Sequence, residues 1–281
     1  MNTITNLNIF KEKIKEIKKN GRSIGFVPTM GFLHEGHLSL IDRARENNDV
    51  VIVSIFVNPT QFGPSEDLES YPRDIKRDSA LCIKHKVDIL FIPLIEQVYN
   101  KDFSTFVEVE GISSLLCGKT RPGHFRGVAT IVLKLFNMVK PDRAYFGLKD
   151  YQQYIIIKKM VKDLDLDIEI IGCPIVREQN GLAMSSRNNY LSDEQKNQAS
   201  IIYQALREAK KNIKRGEISS KKIIDSIRAQ LENIKDSKID YIKICDPENL
   251  YEVEEIVSEV IILVACFVGN ARLIDNIKVK K

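Results

Sequence analysis

Nothing at the start of the chain has the shape of a secretory leader: Met1-Asn2-Thr3-Ile4-Thr5 carries no basic segment followed by an apolar run. Long apolar runs are missing too, and the longest, Val260 to Val268, falls far short of the roughly 20 residues that a bilayer-spanning helix needs. A soluble cytoplasmic protein with no membrane partner is the expectation. The cysteines Cys82, Cys117, Cys173, Cys245 and Cys266 stand singly, with no C-x-x-C pair, and their odd count argues against a fully paired disulfide framework. Apolar neighbours mark them as buried free thiols rather than zinc ligands or nucleophiles. Charge of one sign is also lacking: 42 basic against 38 acidic residues leave a formal +4, too small an excess to imply a nucleic-acid partner. The basic runs Lys11 to Lys19 and Lys210 to Lys222 contain apolar residues at helical intervals and read as solvated helix faces. There is no G-x-x-x-x-G-K-[ST] loop and no G-x-G-x-x-G crossover, which argues against a Walker-type kinase and an ordinary dinucleotide dehydrogenase. No repeat or low-complexity linker divides the chain.

What is present is an alternation of helical and extended patterns. A helix over Ile9 to Lys18 precedes Asn20-Gly21, and Ile24 to Val27 reads as the first strand. Ser39 to Asn47 reads as a helix, Val50 to Phe56 as a buried strand, Arg73 to Lys84 as a helix and Asp88 to Ile92 as a strand. An extra strand is expected over Thr105 to Val109. Helices over Val128 to Met138 and Gln152 to Asp163 then alternate with strands over Arg143 to Phe146 and Asp167 to Gly172. Strands that are apolar throughout point to a parallel sheet covered on both faces. Beyond it, Ser192 to Ile213 and Ser219 to Ile234 read as helices, and Ile239 to Cys245, Glu259 to Phe267 and Ala271 to Val279 as strands. The fold class expected is α/β: a Rossmann-like parallel sheet over residues 1–176 and a smaller C-terminal α+β domain over 177–281.

Five segments carry chemistry. Directly after the first expected strand comes Pro28-Thr29-Met30-Gly31-Phe32-Leu33-His34-Glu35-Gly36-His37. Two histidines three positions apart in a first helical turn face the same group, glycines let backbone approach closely, and amides at a helix start attract anions. Such histidines stabilise charge developing on a phosphate under attack. The alternatives are a polar turn closed by two imidazoles, or two ligands of a metal whose third is not fixed by local spacing. Asn58 and Gln61, in Val57-Asn58-Pro59-Thr60-Gln61-Phe62-Gly63, stand where an open α/β sheet places its ligand crevice. Their uncharged donors and acceptors can orient a polyol carboxylate, or simply cap the turn.

Arg121-Pro122-Gly123-His124-Phe125-Arg126-Gly127-Val128 reads as an anion-facing loop, with His124 as a surface or hinge residue in the alternative. In Phe146-Gly147-Leu148-Lys149-Asp150-Tyr151-Gln152-Gln153, Lys149 suits phosphate charge and Asp150 a ribose hydroxyl or a magnesium-bound water; the alternative is an ordinary surface pair. Val176 to Asn188 clusters Ser185, Ser186 and Arg187, donors suited to phosphate, after a turn at Asn180-Gly181 that an interdomain connection explains equally well.

Together these segments resemble the pantothenate synthetases, within the wider group of adenylyl- and cytidylyl-transferase-like nucleotidyltransferases. PTMGFLHEGHLSLIDRA is similar to that family's opening motif, VSIFVNPTQFGPSEDLESYPRD to its second signature, and HFRGV to a segment beside the pantoate pocket. The likeness is strong over residues 20 to 192 and is one of architecture beyond. It implies an enzyme that joins pantoate to β-alanine with ATP as co-substrate and Mg2+, giving pantothenate, AMP and diphosphate through pantoyl adenylate, and working as a homodimer. It also implies roles for individual residues. Met30, Gly31, His34, Gly36, His37, Gly147, Lys149, Asp150, Val176, Met184, Ser185, Ser186 and Arg187 belong to the nucleotide site. Among them His34, His37, Lys149 and Arg187 are catalytic. Asn58, Gln61, Tyr71, His124, Arg126 and Gln153 belong to the small substrates, with Gln61 near both pantoate and β-alanine and Tyr71 alternatively an exposed residue at a helix start. No metal ligand is fixed. The chain departs from the family pattern at Leu148, where glutamate is usual, and at Asn180, where aspartate is common. Two competing functions remain: a related transferase moving AMP or CMP onto a phosphate-bearing acceptor, and a nucleotide-binding module without catalysis.

Overall fold

Runs of valine, isoleucine and phenylalanine build the first part of the computed structural model, which describes residues 1–64 and 66–281. Asn2–Ile4 (β1), Ile24–Thr29 (β2), Val50–Ile55 (β3), Ile89–Phe91 (β4), Arg143–Gly147 (β5) and Glu169–Cys173 (β6) pair in parallel in the order β1-β4-β3-β2-β5-β6. Every residue of β3 is buried, as expected of a strand covered on both faces. Helices Leu7–Lys19 (α1), Glu35–Asn47 (α2), Ile75–Lys84 (α3), Ile95–Val98 (α4), Cys117–Thr120 (α5), His124–Val139 (α6) and Tyr151–Asp163 (α7) accompany the sheet. Val27, Val51 and Val53 pack with Leu38, Ile41 and Ala44 of α2. Phe26, one position along β2 and so on the opposite face, meets Phe136 of α6 edge-on at 6.4 Å. The basic run in α1 is a solvated face, since Phe10, Ile14 and Ile17 are its buried residues.

The chain leaves β2 for β3 and β4 on one side and returns to β5 on the other. That reversal sets the topological switch point at the carboxyl ends of β2 and β5, where a ligand crevice forms in open α/β sheets.

The second part contains Asp193–Ala199 (α8), Ile201–Lys214 (α9) and Ser220–Leu231 (α10), followed by the antiparallel sheet Ser237–Cys245 (β7), Val260–Val268 (β8) and Ala271–Val279 (β9). Leu206 and Ile213 of α9, Ile223 and Ile227 of α10, and Ile242, Ile262 and Val264 of the sheet share one core. Gly269, at φ +54°, turns β8 into β9.

By their contacts the residues form two compact units, Met1–Leu148 with Gln153–Pro174, and Lys149–Gln152 with Ile175–Lys281. This division differs from a cut after residue 176. Lys149 joins the second unit because its carbonyl accepts from Asn276 Nδ2 at 3.0 Å, Tyr151 because its hydroxyl donates to Pro247 O at 3.0 Å, and Val176 because its carbonyl accepts the Met184 amide at 3.0 Å.

Three local expectations are corrected. The first strand is β1, three largely polar residues parallel to β4, and the Ile24 run is the second. Thr105 to Val109 forms no strand: the Val107 amide donates to Thr130 Oγ1 of α6 at 2.9 Å, and Arg126 lies over the Phe106 ring at 4.0 Å. A helix took the place of a neighbouring strand. The helix expected over Ser192 to Ile213 divides at Ser200, whose hydroxyl bonds back to Asn197 O at 2.6 Å.

All five cysteines are buried and free. Burial pushes the Cys82 and Cys245 thiols up to about 12 and Cys266 up to about 11, so they stay protonated and inert at neutral pH. Native protein should therefore give almost no colour with a thiol-exchange reagent, and five equivalents after denaturation. A fast native reaction that abolishes turnover would reinstate a catalytic thiol.

Candidate active site

Thr29 closes β2, its hydroxyl donating to Ser54 O at 2.8 Å and accepting the Gly31 amide at 3.1 Å. Gly31 has φ +85°, and a Cβ there would lie 2.9 Å from Ile55 Cγ2, so backbone and space both require glycine. The next two amides, of Phe32 and Leu33, donate to the two oxygens of Asp78 at 2.7 and 2.8 Å. Asp78 is fully buried in α3; burial pushes its carboxyl up while the two amides pull the other way.

This tied-down turn delivers two histidines to the start of α2. His34 is the N-cap and accepts the Gly36 amide on Nδ1 at 3.1 Å; His37, in the first turn, accepts the His34 amide on Nδ1 at 3.3 Å. The pair is a capping box made of imidazoles, with ring centroids 4.1 Å apart. A neutral ring that accepts on Nδ1 carries its proton on Nε2 and is a donor there. The polar turn and a pair of donors suited to phosphate are thus one geometry: the cap fixes the tautomer, and the tautomer makes each ring a donor. Both sit at the positive end of the α2 dipole. Among the described residues no group of three or more His, Cys, Asp and Glu side chains could hold a metal ion.

After β3, Asn58 and Gln61 are buried around a short 3-10 turn. Asn58 Nδ2 donates to Gln61 Oε1 at 3.0 Å and to Gly127 O at 3.2 Å, while Asn58 Oδ1 accepts from Thr60 at 3.0 Å and Tyr99 at 2.8 Å. Gln61 Nε2 donates to Met30 Sδ at 3.1 Å. The turn therefore touches the loop that carries the histidines. His124 joins the same group: its Nδ1 lies 2.8 Å from Gln61 O and its Nε2 lies 3.0 Å from Arg121, which Glu66 holds with both carboxylate oxygens. With a carbonyl on one side and a guanidinium on the other, His124 is a neutral Nδ1–H tautomer.

Tyr71 is buried, with its ring edge-on to Phe62 at 5.9 Å, so it is not an exposed residue at the start of a helix. Arg73 holds the same segment through the carbonyls of Leu68 and Tyr71. Arg126 is exposed and stacked on Phe106, apart from the Asn58 network. Gln153 is half-buried in the first turn of α7. Gly147 ends β5 at an open position, where an added Cβ would meet no described atom within 4 Å.

In the second unit, Lys149 lies 3.7 Å from Asp150; the lysine side chain is 18% exposed and the aspartate 49%, so the lysine is more than an ordinary surface charge. Val176 to Met184 forms a small hairpin, bridged at Arg177 and Ala183, with Gly181 at φ +95°. Asn180 Oδ1 accepts the Leu182 amide at 3.1 Å, as aspartate would, but its Nδ2 also donates to Lys196 O at 3.2 Å, which aspartate cannot do. Ser185 caps the 3-10 turn Ser186–Tyr190 by accepting the Arg187 amide at 3.2 Å, and buried Asn188 ties that turn to Glu178 at 2.6 Å and Ala183 at 3.1 Å. Lys149, Ser185, Leu182, Ile202, Leu273 and Asp275 line a small pocket.

Sequence reading missed the supports. Asp275 of β9 receives the Arg177 guanidinium on both oxygens at 2.6 and 2.9 Å, and Arg177 also donates to Gly181 O at 3.1 Å. Burial pushes the Asp275 carboxyl up against the pull of that fork. Asn276 beside it holds the Lys149 carbonyl. Asp78 and Tyr99 play similar parts in the first unit. No local signal marks any of these, because each acts on a segment remote in the chain. Asn276→Ala removes one partly buried hydrogen bond, worth about 1 kcal/mol, and should lower the melting temperature by roughly 2–4 °C; an unchanged melting temperature would mean that the Lys149 carbonyl needs no such support.

A family model described as pantoate–β-alanine ligase matches residues 2–278. The pantothenate synthetase of Thermotoga petrophila is 57% identical over 274 residues, 98% of this chain and 97% of that protein. That of Caldicellulosiruptor bescii is 53% identical over 284 residues, 100% and 99% of the two chains. Among solved structures, pantothenate synthetase from Thermus thermophilus superposes with a TM-score of 0.95 at 43% identity, covering all of both chains. The pantoate–β-alanine ligase of Francisella tularensis, solved with beta-gamma ATP and β-alanine, gives 0.80 at 38% identity over 99% of this chain and 97% of that one. With a model matched over almost its whole length and relatives more than half identical to it, the chain belongs to the pantoate–β-alanine ligase family.

Proposed function

We propose that the chain carries out the family's ATP-dependent ligation with the residues described above in distinct roles. The observation that carries this reading is the imidazole capping box: two rings held by their Nδ1 atoms at a helix start, each left a donor at Nε2.

In the first step a pantoate carboxylate oxygen attacks the α-phosphorus of ATP. The bond from that phosphorus to the bridging oxygen breaks, diphosphate leaves, and pantoyl adenylate remains. His34 and His37 donate to phosphate oxygens as negative charge builds on them. Lys149 and Arg187 neutralise the same kind of charge, with Ser185 and Ser186 as hydroxyl donors and Met30, Gly31, Gly36, Gly147, Val176 and Met184 as backbone contacts. In the second step the uncharged amine of β-alanine attacks the acyl carbon, the bond to the AMP oxygen breaks, and the amine gives up a proton. A carboxylate resists this attack, whereas its mixed anhydride does not, so the reaction needs ATP and no serine or cysteine nucleophile.

Gln61 and Gln153 are assigned to pantoate, and Gln61 also to β-alanine. Tyr71 and His124 are assigned to shaping that pocket, and Arg126 to an outer contact. A magnesium ion on the phosphates takes few protein ligands, and half-exposed Asp150 is the carboxylate that suits it. When bound, the ion shares the phosphate charge. We also place the protein in the cytoplasm, in keeping with five free thiols, and as a homodimer without a nucleic-acid or membrane partner. A solution mass of one chain would count against the dimer.

The test is a mass-resolved assay with MgATP, pantoate and β-alanine, and with each omitted in turn. Pantothenate, AMP and diphosphate should appear only in the complete mixture. Transfer of a nucleotide to a phosphate-bearing acceptor, or ATP binding without products, would replace this reading with a related transferase or a binding module.

A further inference from the structure

Asn58 has two hydrogens and two acceptor positions on its amide, and this structure uses all four within the protein. The orientation is forced. Gly127 O is a main-chain carbonyl and only accepts, so the atom facing it must be Nδ2. Nδ2 also faces the Gln61 amide, so the Gln61 atom there must be Oε1. Gln61 Nε2 is thereby turned away from Asn58, and its partner is Met30 Sδ at 3.1 Å. A thioether is a weak acceptor, so a strong donor rests on a poor partner that an incoming oxygen can displace.

Tyr99 holds the far end of this chain. Its hydroxyl donates to Asn58 Oδ1 at 2.8 Å and lies 3.2 Å from the Thr60 hydroxyl. Its ring is fixed by Phe103 at 4.8 Å and by the Lys134 ammonium at 5.6 Å. Burial pushes the Tyr99 hydroxyl up, so it remains a donor through the neutral range.

We propose that Tyr99 is a positioning residue for pantoate, acting through Asn58 to present the Gln61 amide nitrogen to a pantoate oxygen. Asn58 is then part of the same relay and not itself a substrate ligand. The proposal rests on the assignment of Gln61 to pantoate given above.

Steady-state kinetics of Tyr99→Phe, Gln61→Ala and the double variant test it, with pantoate, ATP and β-alanine each varied and melting temperatures recorded. Phenylalanine keeps the ring packing and removes only the hydroxyl. Tyr99→Phe should raise the pantoate KM about tenfold, as loss of a buried hydrogen bond does, with the ATP KM and the melting temperature little changed. Gln61→Ala should raise the pantoate KM further, and adding Tyr99→Phe to it should do nothing more, because the relay then has no end. An unchanged pantoate KM in Tyr99→Phe beside a raised one in Gln61→Ala overturns the role of Tyr99 and leaves the role of Gln61 standing. Equal and independent effects in the double variant overturn the relay. An unchanged pantoate KM in Gln61→Ala removes the assignment of Gln61, and the relay with it.

Discussion

Replacing His37 by glutamine lowers kcat roughly 100- to 1000-fold, the loss typical of one preorganised donor to a developing anion, while the melting temperature barely moves. Glutamine is the informative substitute because His37 has two jobs. Its Nδ1 accepts the His34 amide at 3.3 Å, in the position where a capping box ordinarily carries glutamate or glutamine. The substitution His37→Gln retains that acceptor, but the amide NH2 that replaces the imidazole N–H no longer stands at the ring's Nε2 position, so the preorganised donor is lost. His34→Asn is the companion: asparagine is a favoured N-cap and can take the Gly36 amide, now bound to His34 at 3.1 Å. Alanine at either site would mix the two roles, since loss of a cap alone costs about 1 kcal/mol. Diphosphate release in a single turnover, followed beside thermal unfolding, separates them. Normal release with a lowered melting temperature would reduce the pair to capping residues.

The second large effect is expected at Gly127→Ala. A Cβ there would lie 2.4 Å from Thr60 O, 2.6 Å from Thr60 C and 2.7 Å from Gln61 N. These are backbone atoms and cannot rotate away, so α6 and the turn must separate by about 1 Å to restore an ordinary C···O distance of about 3.3 Å. Overpacking of this kind costs about 1–3 kcal/mol of stability. A displacement of about 1 Å at a reacting group lowers turnover on the order of 100-fold, so kcat/KM for pantoate should fall by about that factor. Unimpaired kinetics would mean that the Asn58–Gln61 turn need not be held against α6. In the segment Arg121 to Val128, Gly127 meets the Asn58–Gln61 turn, whereas exposed Arg126 stacks on Phe106.

The legible portions of the fold were those whose physics is local. β3 is buried along its whole length and reads as an unbroken apolar run, and the capped start of α8 reads from Ser192 and Gln195. β1 was invisible because three mostly polar residues carry no pattern. Thr105 to Val109 has the composition of a strand, but its neighbour is the side of α6, where Thr130 takes its amide. The site divides in the same way. Residues suited to a phosphate must be particular chemical types at fixed spacing, and His34 and His37 have that type and spacing. Their supports are ordinary types whose value lies in a distant partner: Asp78 reaches back to the amides of Phe32 and Leu33, and Asn276 reaches the Lys149 carbonyl. Nothing near these residues in the sequence signals those contacts.

Activation of the carboxylate by adenylation can be followed by isotope. Pantoate labelled with oxygen-18 in both carboxylate positions is turned over with MgATP and β-alanine, and the AMP is weighed. One labelled oxygen should be found in each AMP, since the oxygen that attacks the α-phosphorus stays there when the amide forms. AMP formed together with pantothenate but carrying no label would mean that the carboxylate never bonded to that phosphorus, and the adenylate route would have to be abandoned.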